Sequence, residues 1–483
     1  MHAPHAASYA MAFVPASDLG ILDSPEEVLS TMTKDGKRRW LYPVESAGRY
    51  LTRRKIVGWA LIVFFVVLPI VRVGGKPALF LDVARREFTF VGTTFYPTDT
   101  FLLMLMLLTA FVGILLFTAL FGRVWCGWGC PQTVYLEFVF RPIERLVEGT
   151  EHARKKRDDA PHTGEWYARR ALKYAAYIVV AALLAHTFVA YFASWDRLIR
   201  WMTGDPRDHW GYFVLMAVTT GLIVFDFAIF REQMCTIACP YARLQSVLVD
   251  PDSLIVAYDP DRGEPRGRGK SRDGKGDCID CFACVRTCPT GIDIRDGLQM
   301  ECVACTQCVD ACDSIMDRVG KPKGLIRYAS EHELEHIPTK RVRARTVLYS
   351  IVFVGLLSAF TFKLATRNAY DVNVGRNVGA GMSAPFITMP DGQIANQLRL
   401  RVRNQLGKPV TFTVEAETPQ GASVIVIGPS PVPLKPGEMK RVNILVRAPR
   451  ATFINGTADA TFVLRFSDGQ SVEEAFPLLG PSR

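Results

Sequence analysis

The sequence predicts a multi-domain integral membrane protein. It combines an α-helical bundle of five transmembrane helices with an inserted bacterial two-cluster ferredoxin-like α+β module and a C-terminal all-β immunoglobulin-like sandwich. Three observations predict this. Five apolar stretches have the length that a bilayer core requires. Eight of the twelve cysteines form two runs with ferredoxin spacing. The C-terminal part alternates apolar and polar residues in short runs between turn residues.

Composition sets the frame. The chain has 483 residues, of which 49% are hydrophobic and 22% charged. A mean hydropathy of +0.14 is high for a soluble protein with that charge content. Disorder as the main state is excluded by the apolar content. The length and the cysteine placement exclude a small disulfide-stapled secreted scaffold.

The expected spans are Ile56–Val73, Phe101–Phe121, Ala171–Ala193, Tyr212–Phe230 and Thr346–Ala365. Only helices satisfy their backbone in hydrocarbon without partner strands. Lys and Arg number eight before the first span, then three, nine, three and eighteen in the successive connections. That alternation places the N-terminus in the cytoplasm and the C-terminal tail outside, in the periplasm of a bacterium. The expected localisation is the bacterial inner membrane. Residues 1–31 carry no Lys or Arg, so the first span is expected to act as an uncleaved anchor. The net charge of +10 is then topological, and with no nucleic-acid motif beside it, nucleic acid is not an expected partner. The expected domains are a cytoplasmic N-terminal segment (1–55), a four-helix membrane domain (56–250), a cytoplasmic cluster module (251–345), a fifth helix (346–366) and a periplasmic sandwich (367–483).

All twelve cysteines fall on the side assigned to the cytoplasm, where thiols stay reduced, so they read as metal or redox ligands. Cys278-x2-Cys281-x2-Cys284-x3-Cys288-Pro289 is followed by Cys302-x2-Cys305-x2-Cys308-x3-Cys312. Three thiolates in a tight loop wrap one cubane, and the fourth cysteine reaches the other. Cys278, Cys281, Cys284 and Cys312 are therefore expected to hold one [4Fe-4S] cluster. Cys302, Cys305, Cys308 and Cys288 are expected to hold the second. A pair of zinc sites is the competing reading. Asp313 stands where Pro usually follows the last cysteine.

The other four cysteines form Cys126-Gly-Trp-Gly-Cys130-Pro131 and Cys235-Thr-Ile-Ala-Cys239-Pro240. Each pair follows the inner end of a span, with Phe121 and Phe230 at equal distance before it. Apolar runs, Thr133–Val147 and Ala242–Val249, come after each Pro. This is a parallel internal repeat: two spans, an elbow, a short helix. Pro suits the first turn of that helix. If the repeats pack together, four thiolates converge, and soft thiolates favour Cu(I), zinc or iron–sulfur clusters. A redox disulfide pair, or small buried cysteines closing tight turns, are the alternatives.

Other intramembrane features are weaker. His186 and Asp226 are ionisable residues inside spans and so candidate functional groups, His186 for a metal or cofactor. Met104 and Met106 offer thioethers. Lys363 lies near the outer end of the fifth span and is expected to snorkel. Segment 259–276 reads as a flexible approach to the cluster module. From about Asn373, runs at Gln397–Val402, Val410–Ala416, Ser423–Ile427, Arg441–Val446, Ala458–Phe466 and Ser471–Phe476 suggest the sandwich. It contains no cysteine, so it reads as a partner-binding or bracing domain.

This order of parts resembles the CcoG/FixG/RdxA family, the cytochrome c oxidase accessory proteins, from about Lys34 onward. The Cys126–Cys130 and Cys235–Cys239 elbows are also similar to those of NapH-like and NosR-like membrane ferredoxins. The fifth span with its sandwich separates this chain from the NapH-like proteins, and the lack of a flavin-binding domain from the NosR-like ones. The first resemblance implies reduction of Cu(II) to Cu(I) for assembly of a cbb3-type oxidase, with copper bound and reduced at Cys126, Cys130, Cys235 and Cys239. It implies oxidase-assembly or copper-transport proteins as partners, beside the lipid bilayer and an electron donor that the sequence does not identify. A quinol-linked electron conduit without copper is the second reading. A redox sensor or scaffold is the third.

Overall fold

In the computed structural model, the structure describes residues 30–33, 35–267, 274–340, 342–376 and 385–482. The chain forms two compact units. One joins the residues up to Ile70 with Thr109–Val354; the other joins Val71–Leu108 with Gly355–Arg483.

Four helices among the described residues are long and apolar enough to cross a bilayer: Thr100–Phe121, Gly164–Ala193, Pro206–Phe230 and Ala344–Ala365. They turn large apolar side chains outward, among them Leu107, Phe111, Leu183, Leu222, Ile351 and Phe362. Such faces are unfavourable in water and natural in lipid.

The first expected span differs. The helix runs from Arg49 to Val67, and Arg72–Val73 pairs instead with Lys76–Pro77 as a short antiparallel ladder. Its first turns carry Arg53, Arg54 and Lys55, which keeps it out of the group of four. Its start is fixed from elsewhere in the chain. The Asp310 carboxylate accepts hydrogen bonds from the N–H groups of Tyr50 (3.1 Å) and Leu51 (2.7 Å). These are donors that a helix N-terminus leaves without intrahelical partners.

The fourth expected span also changes character near its end. The α-helix Trp210–Phe225 passes into a π-helical turn at Asp226–Phe230. Single π turns inside helices commonly mark functional positions. Here the turn aims Asp226 at Gln132, whose Nε2 donates to Asp226 Oδ1 at 3.1 Å. Asp226 thus meets a side-chain amide.

The cysteine module is α+β. Strands Ile255–Tyr258 and Ile326–Ala329 pair antiparallel and flank the helices Ala283–Arg286 and Gln307–Val319. Its apolar centre is Val256, Val309, Met316, Leu325 and Ile326.

The second unit holds a two-sheet sandwich. One sheet runs in the order Ser423–Ile427, Met439–Ala448, Ile394–Asn404, Tyr370–Arg376, with Ile387–Thr388 also on Ile394–Asn404. The other runs Val432–Leu434, Val410–Thr418, Thr457–Phe466, Ser471–Leu479. All six expected runs lie inside these strands. Alternation fills the space between the sheets with Leu398, Leu400, Ile444, Val446, Phe412, Phe462 and Leu464. The connection between the first two expected spans forms a meander of Leu79–Asp82, Glu87–Phe90 and Thr93–Phe95. It is tied to the sandwich side of the same unit: Arg367 pairs with Asp99 at 2.5 Å, and the Arg403 guanidinium lies 4.2 Å from the centre of the Tyr96 ring.

Candidate metal centres

The two cysteine runs fold as two copies of one loop. In the first, Asp280 and Phe282 flank Cys281 with φ of +54° and +57°; in the second, Ala304 and Thr306 flank Cys305 with φ of +51° and +60°. Left-handed non-glycine residues cost about 1–3 kcal/mol each and persist only where the surroundings require them. Here the requirement is curvature. Alternating left- and right-handed residues turn backbone N–H groups inward and form a cradle for an anionic group, as at many iron–sulfur sites. One such N–H, that of Ala304, already points at Cys302 Sγ at 3.4 Å. The third cysteine of each loop, Cys284 or Cys308, then enters the first turn of a helix, and Cys312 lies further along the second helix.

The loops enclose two cavities. One is lined by Cys284, Cys288, Cys302, Cys305 and Cys308. The other is lined by Cys278, Cys281, Cys284 and Cys312. The remaining walls are apolar, including Ile292, Ile294, Ile315 and Leu325. Each expected set of four cysteines lines one cavity, and Cys284 lies on the walls of both. Cysteine side chains on otherwise apolar walls, with inward-turned backbone N–H groups, suit an iron–sulfur cluster at each cavity. Burial pushes the thiols up, to about 12 for Cys284, Cys305 and Cys312 and to about 11 for Cys302, and well up for Cys308. Cluster binding must therefore displace protons.

The elbows also repeat. Cys126 lies on the short helix Val124–Trp128, and Cys235 on the π turn Met234–Ala238. Cys130 and Cys239 immediately precede Pro131 and Pro240, which begin helices. The run after Pro131 is helical to Glu148, through a π turn at Leu136–Phe140; the run after Pro240 is helical to Leu248. Two glutamines stitch the repeats together. Gln132 donates to Asp226 and to the carbonyl of Arg231 (3.0 Å). Gln245, fully buried, accepts from Cys126 Sγ (3.2 Å) and donates to the carbonyl of Gly122 (2.8 Å). The four thiols come within electrostatic reach of one another. Burial, then Cys130 and Cys239 among its neighbours, pushes Cys126 up to about 12. Burial and the other three thiols raise Cys235.

The first elbow is packed against the loop of Cys302, Cys305 and Cys308. A Cβ at Gly127 would stand 2.6 Å from the carbonyl oxygen of Val303 and 2.7 Å from that of Ala304. Arg123 donates to the carbonyl of Cys302 at 3.1 Å. Trp128 Nε1 donates to the hydroxyl of Tyr328 (3.0 Å), which donates to the carbonyl of Ala304 (3.3 Å).

His186 is not part of this assembly. Its Nδ1 lies 2.6 Å from the carbonyl of Ala182 on its own helix, and it joins no group of potential metal ligands among the described residues. Met104 is exposed on its helix. What the sequence reading missed is a buried ionic network beside the elbows. Glu144 pairs with Arg231 and with Arg154 (2.8 Å) and accepts from Tyr177 (2.9 Å). Glu232 pairs with Arg38 (3.0 Å), Arg231 (3.5 Å) and Arg141 (3.7 Å). Isolated charges in the sequence gave no sign of these pairings.

Three family profiles match. Residues 230–331 match a 4Fe-4S dicluster domain, residues 103–149 a 4Fe-4S binding domain, and residues 360–481 the IG-like fold at the C-terminal of FixG. The chain is 35% identical over 436 residues to protein RdxA of Cereibacter sphaeroides, covering 85% of this chain and 90% of RdxA. It is 28% identical over 486 residues to nitrogen fixation protein FixG of Rhizobium meliloti, covering 90% and 91%. A crystal structure of a FixG-related protein from Vibrio parahaemolyticus matches 23% of this chain and 96% of its own, at 14% identity and a TM-score of 0.20.

Proposed function

We propose, from the premise that the chain belongs to the FixG/RdxA family and is an iron–sulfur electron-transfer protein of that type, that it reduces Cu(II) to Cu(I) for assembly of a cbb3-type cytochrome oxidase. One observation carries this reading: the first elbow, with Cys126, is packed through Gly127 onto the loop of Cys302, Cys305 and Cys308. The two [4Fe-4S] clusters, when bound by Cys278, Cys281, Cys284 and Cys312 and by Cys288, Cys302, Cys305 and Cys308, supply the single electron that turns each Cu(II) into Cu(I).

The chain's own residues do the rest. Cys126, Cys130, Cys235 and Cys239 take the copper substrate, and their soft thiolates favour Cu(I) over Cu(II). Because no three potential ligands stand gathered at one point, the ion is held by two thiolates or draws the elbows together. Gln132 and Gln245 fix the two elbows relative to one another. In this reading the helix Arg49–Val67 adds a fifth span to the four. The clusters and elbows face the cytoplasm, and the sandwich faces the periplasm. Copper-transport or oxidase-assembly proteins receive the product.

A second reading, a quinol-linked conduit, is favoured by one cavity. Trp40, Tyr42, Asp158, His162 and Trp166 line it beside the start of the helix Gly164–Ala193. The cavity's aromatic walls, which also carry the charged Glu144, Arg154, Arg170, Lys173 and Arg231, offer stacking and polar groups to a flat redox-active ring. One experiment separates the two. Anaerobic protein with reduced clusters, freed of excess reductant, is mixed with Cu(II), and the Cu(II) EPR signal and cluster reoxidation are followed together. Fast, matched loss in the native chain but not in one with Cys126, Cys130, Cys235 and Cys239 all changed to Ser supports copper reduction. Equal rates in both remove the copper site and leave the conduit.

A further inference from the structure

Arg54 is fully buried. Its Nε donates to the carbonyl of Gly127 at 2.9 Å, while Nη1 and Nη2 have no hydrogen-bond partner among the described residues. No carboxylate among them pairs with it, and its guanidinium lies 5.5 Å from the centre of the Phe138 ring. An unpaired buried charge costs several kcal/mol, so a guanidinium left in this state needs a negative partner. The side chain lies where the elbow meets the second cysteine loop, and its charge acts on the thiol of Cys305 and on Tyr328.

The first loop has an arginine too, but a neutralised one. Arg295 bonds Asp280 (2.6 Å) and Asp293 (2.5 Å) and stacks 4.2 Å from the Phe282 ring centre. Buried Asp313 directly follows Cys312 on that side and is itself paired with the exposed Arg49 at 3.6 Å. On the second side, Arg123 adds a further positive charge near Cys302, opposed by Glu301. The two sites thus share a fold and a ligand set and differ in charge.

We propose that Arg54 makes the cluster of Cys288, Cys302, Cys305 and Cys308 the more easily reduced of the two, so that an electron entering the module comes to rest beside the first elbow. A cluster gains one negative charge when it takes one electron, and an uncompensated guanidinium favours that form, while a carboxylate-paired one does not. Were the cluster bound, hydrogen bonds from the free Nη1 and Nη2 to its sulfurs would act in the same direction.

The proposal rests on the assignment of those four cysteines to one cluster but not on copper, and its test uses none. The full chain is titrated potentiometrically with EPR detection of both clusters. Arg54→Gln is expected to make the second cluster at least about tenfold harder to reduce, a fall of about 59 mV for one electron, with the first cluster unmoved. Arg54→Lys, which keeps the charge, is expected to restore more than half of that loss. Equal shifts of both clusters, or none, overturn the proposal. If Arg54→Gln fails to assemble, Cys305→Ser in an otherwise native chain decides. The native chain is expected to show two waves. Loss or shift of the upper wave in Cys305→Ser with the lower one unmoved supports the proposal; loss or shift of the lower wave, or two clusters that titrate together in the native chain, overturns it.

Discussion

Cys130 and Cys239 occupy the same place in two copies of one elbow. Each is an extended residue, with φ/ψ of −64°/125° and −69°/112°, directly before a helix that begins with Pro. The charge on Cys239 raises the thiol of Cys130, after burial and against two backbone hydrogen bonds. Backbone geometry makes the two residues counterparts, and under the proposed copper reading they would be equivalent ligands for one ion.

That equivalence predicts the outcome of a copper competition titration against a Cu(I) chelator. Cys130→Ser and Cys239→Ser should each weaken Cu(I) binding by a similar factor, at least about 100-fold, the upper end of what loss of an outer-shell partner costs. The double variant should fall short of the product of the two, because ligands of one ion are not independent. Fully additive or strongly unequal losses would show that the elbows do not share an ion.

The network around Glu144 predicts an acid limit. Burial pushes this carboxyl up, but the charge and hydrogen bonds of Arg231, with Arg154, reverse that and hold it well below the usual carboxylate range. The folded form then keeps the carboxylate charged where the unfolded chain takes up a proton. The stabilisation is present above the unfolded value, about 4.3, and is lost as pH falls below it, by about 1.4 kcal/mol per pH unit for one proton. Arg231→Met removes one partner of a buried pair and should cost about 3–5 kcal/mol at neutral pH. Thermal unfolding in detergent between pH 3 and pH 7 measures both (about the range where a carboxyl titrates). An unfolding temperature unchanged in Arg231→Met would sink the assignment.

Asp310 and the start of the first helix supply a stability test. The carboxylate takes the place of an N-cap, from the helix of Cys312. Asp310→Ala should lower stability by about 0.5–2 kcal/mol, the usual cost of losing such a cap, while Asp310→Asn, which keeps an acceptor, should lose less. Unfolding midpoints of the three proteins check this order, and equal midpoints would contradict it.

How far these parts were legible in the sequence follows from the range of the physics. The eight cluster cysteines and both elbows are read from local spacing, since a cubane loop or a Cys-x3-Cys-Pro turn closes within a dozen residues. The strands of the sandwich are read from a period of two, which Leu398, Leu400 and Val402 keep strictly. The meander at Leu79–Phe95 escaped because strands of three and four residues are too short to show a period. Arg54, Asp310 and Glu144 escaped for another reason. Their partners lie far away in sequence, and a charged residue near a span looks the same whether it faces water or a buried partner. The first helix was displaced for that reason: Arg53, Arg54 and Lys55 read as the cytoplasmic flank of a span, while the helix begins before them on Asp310.

Gly127 gives the sharpest test of the link between elbow and cluster loop. A Cβ added there would meet the carbonyl oxygens of Val303 and Ala304, both backbone atoms. Neither can turn aside as a flexible side chain would, so Gly127→Ala must push the elbow and the loop apart. The cluster ligands lie outside the elbow, so iron content should stay at the native level. The hydrogen bond from Arg54 to the Gly127 carbonyl should be strained, and Cys126 should move away from the loop. Misplacement of reacting groups by about 1 Å can cost about 100-fold in rate, and a loss of that order is expected in single-turnover reoxidation of the clusters by Cu(II), followed by stopped flow. A native rate in Gly127→Ala with full iron content would mean that electrons do not leave through this contact.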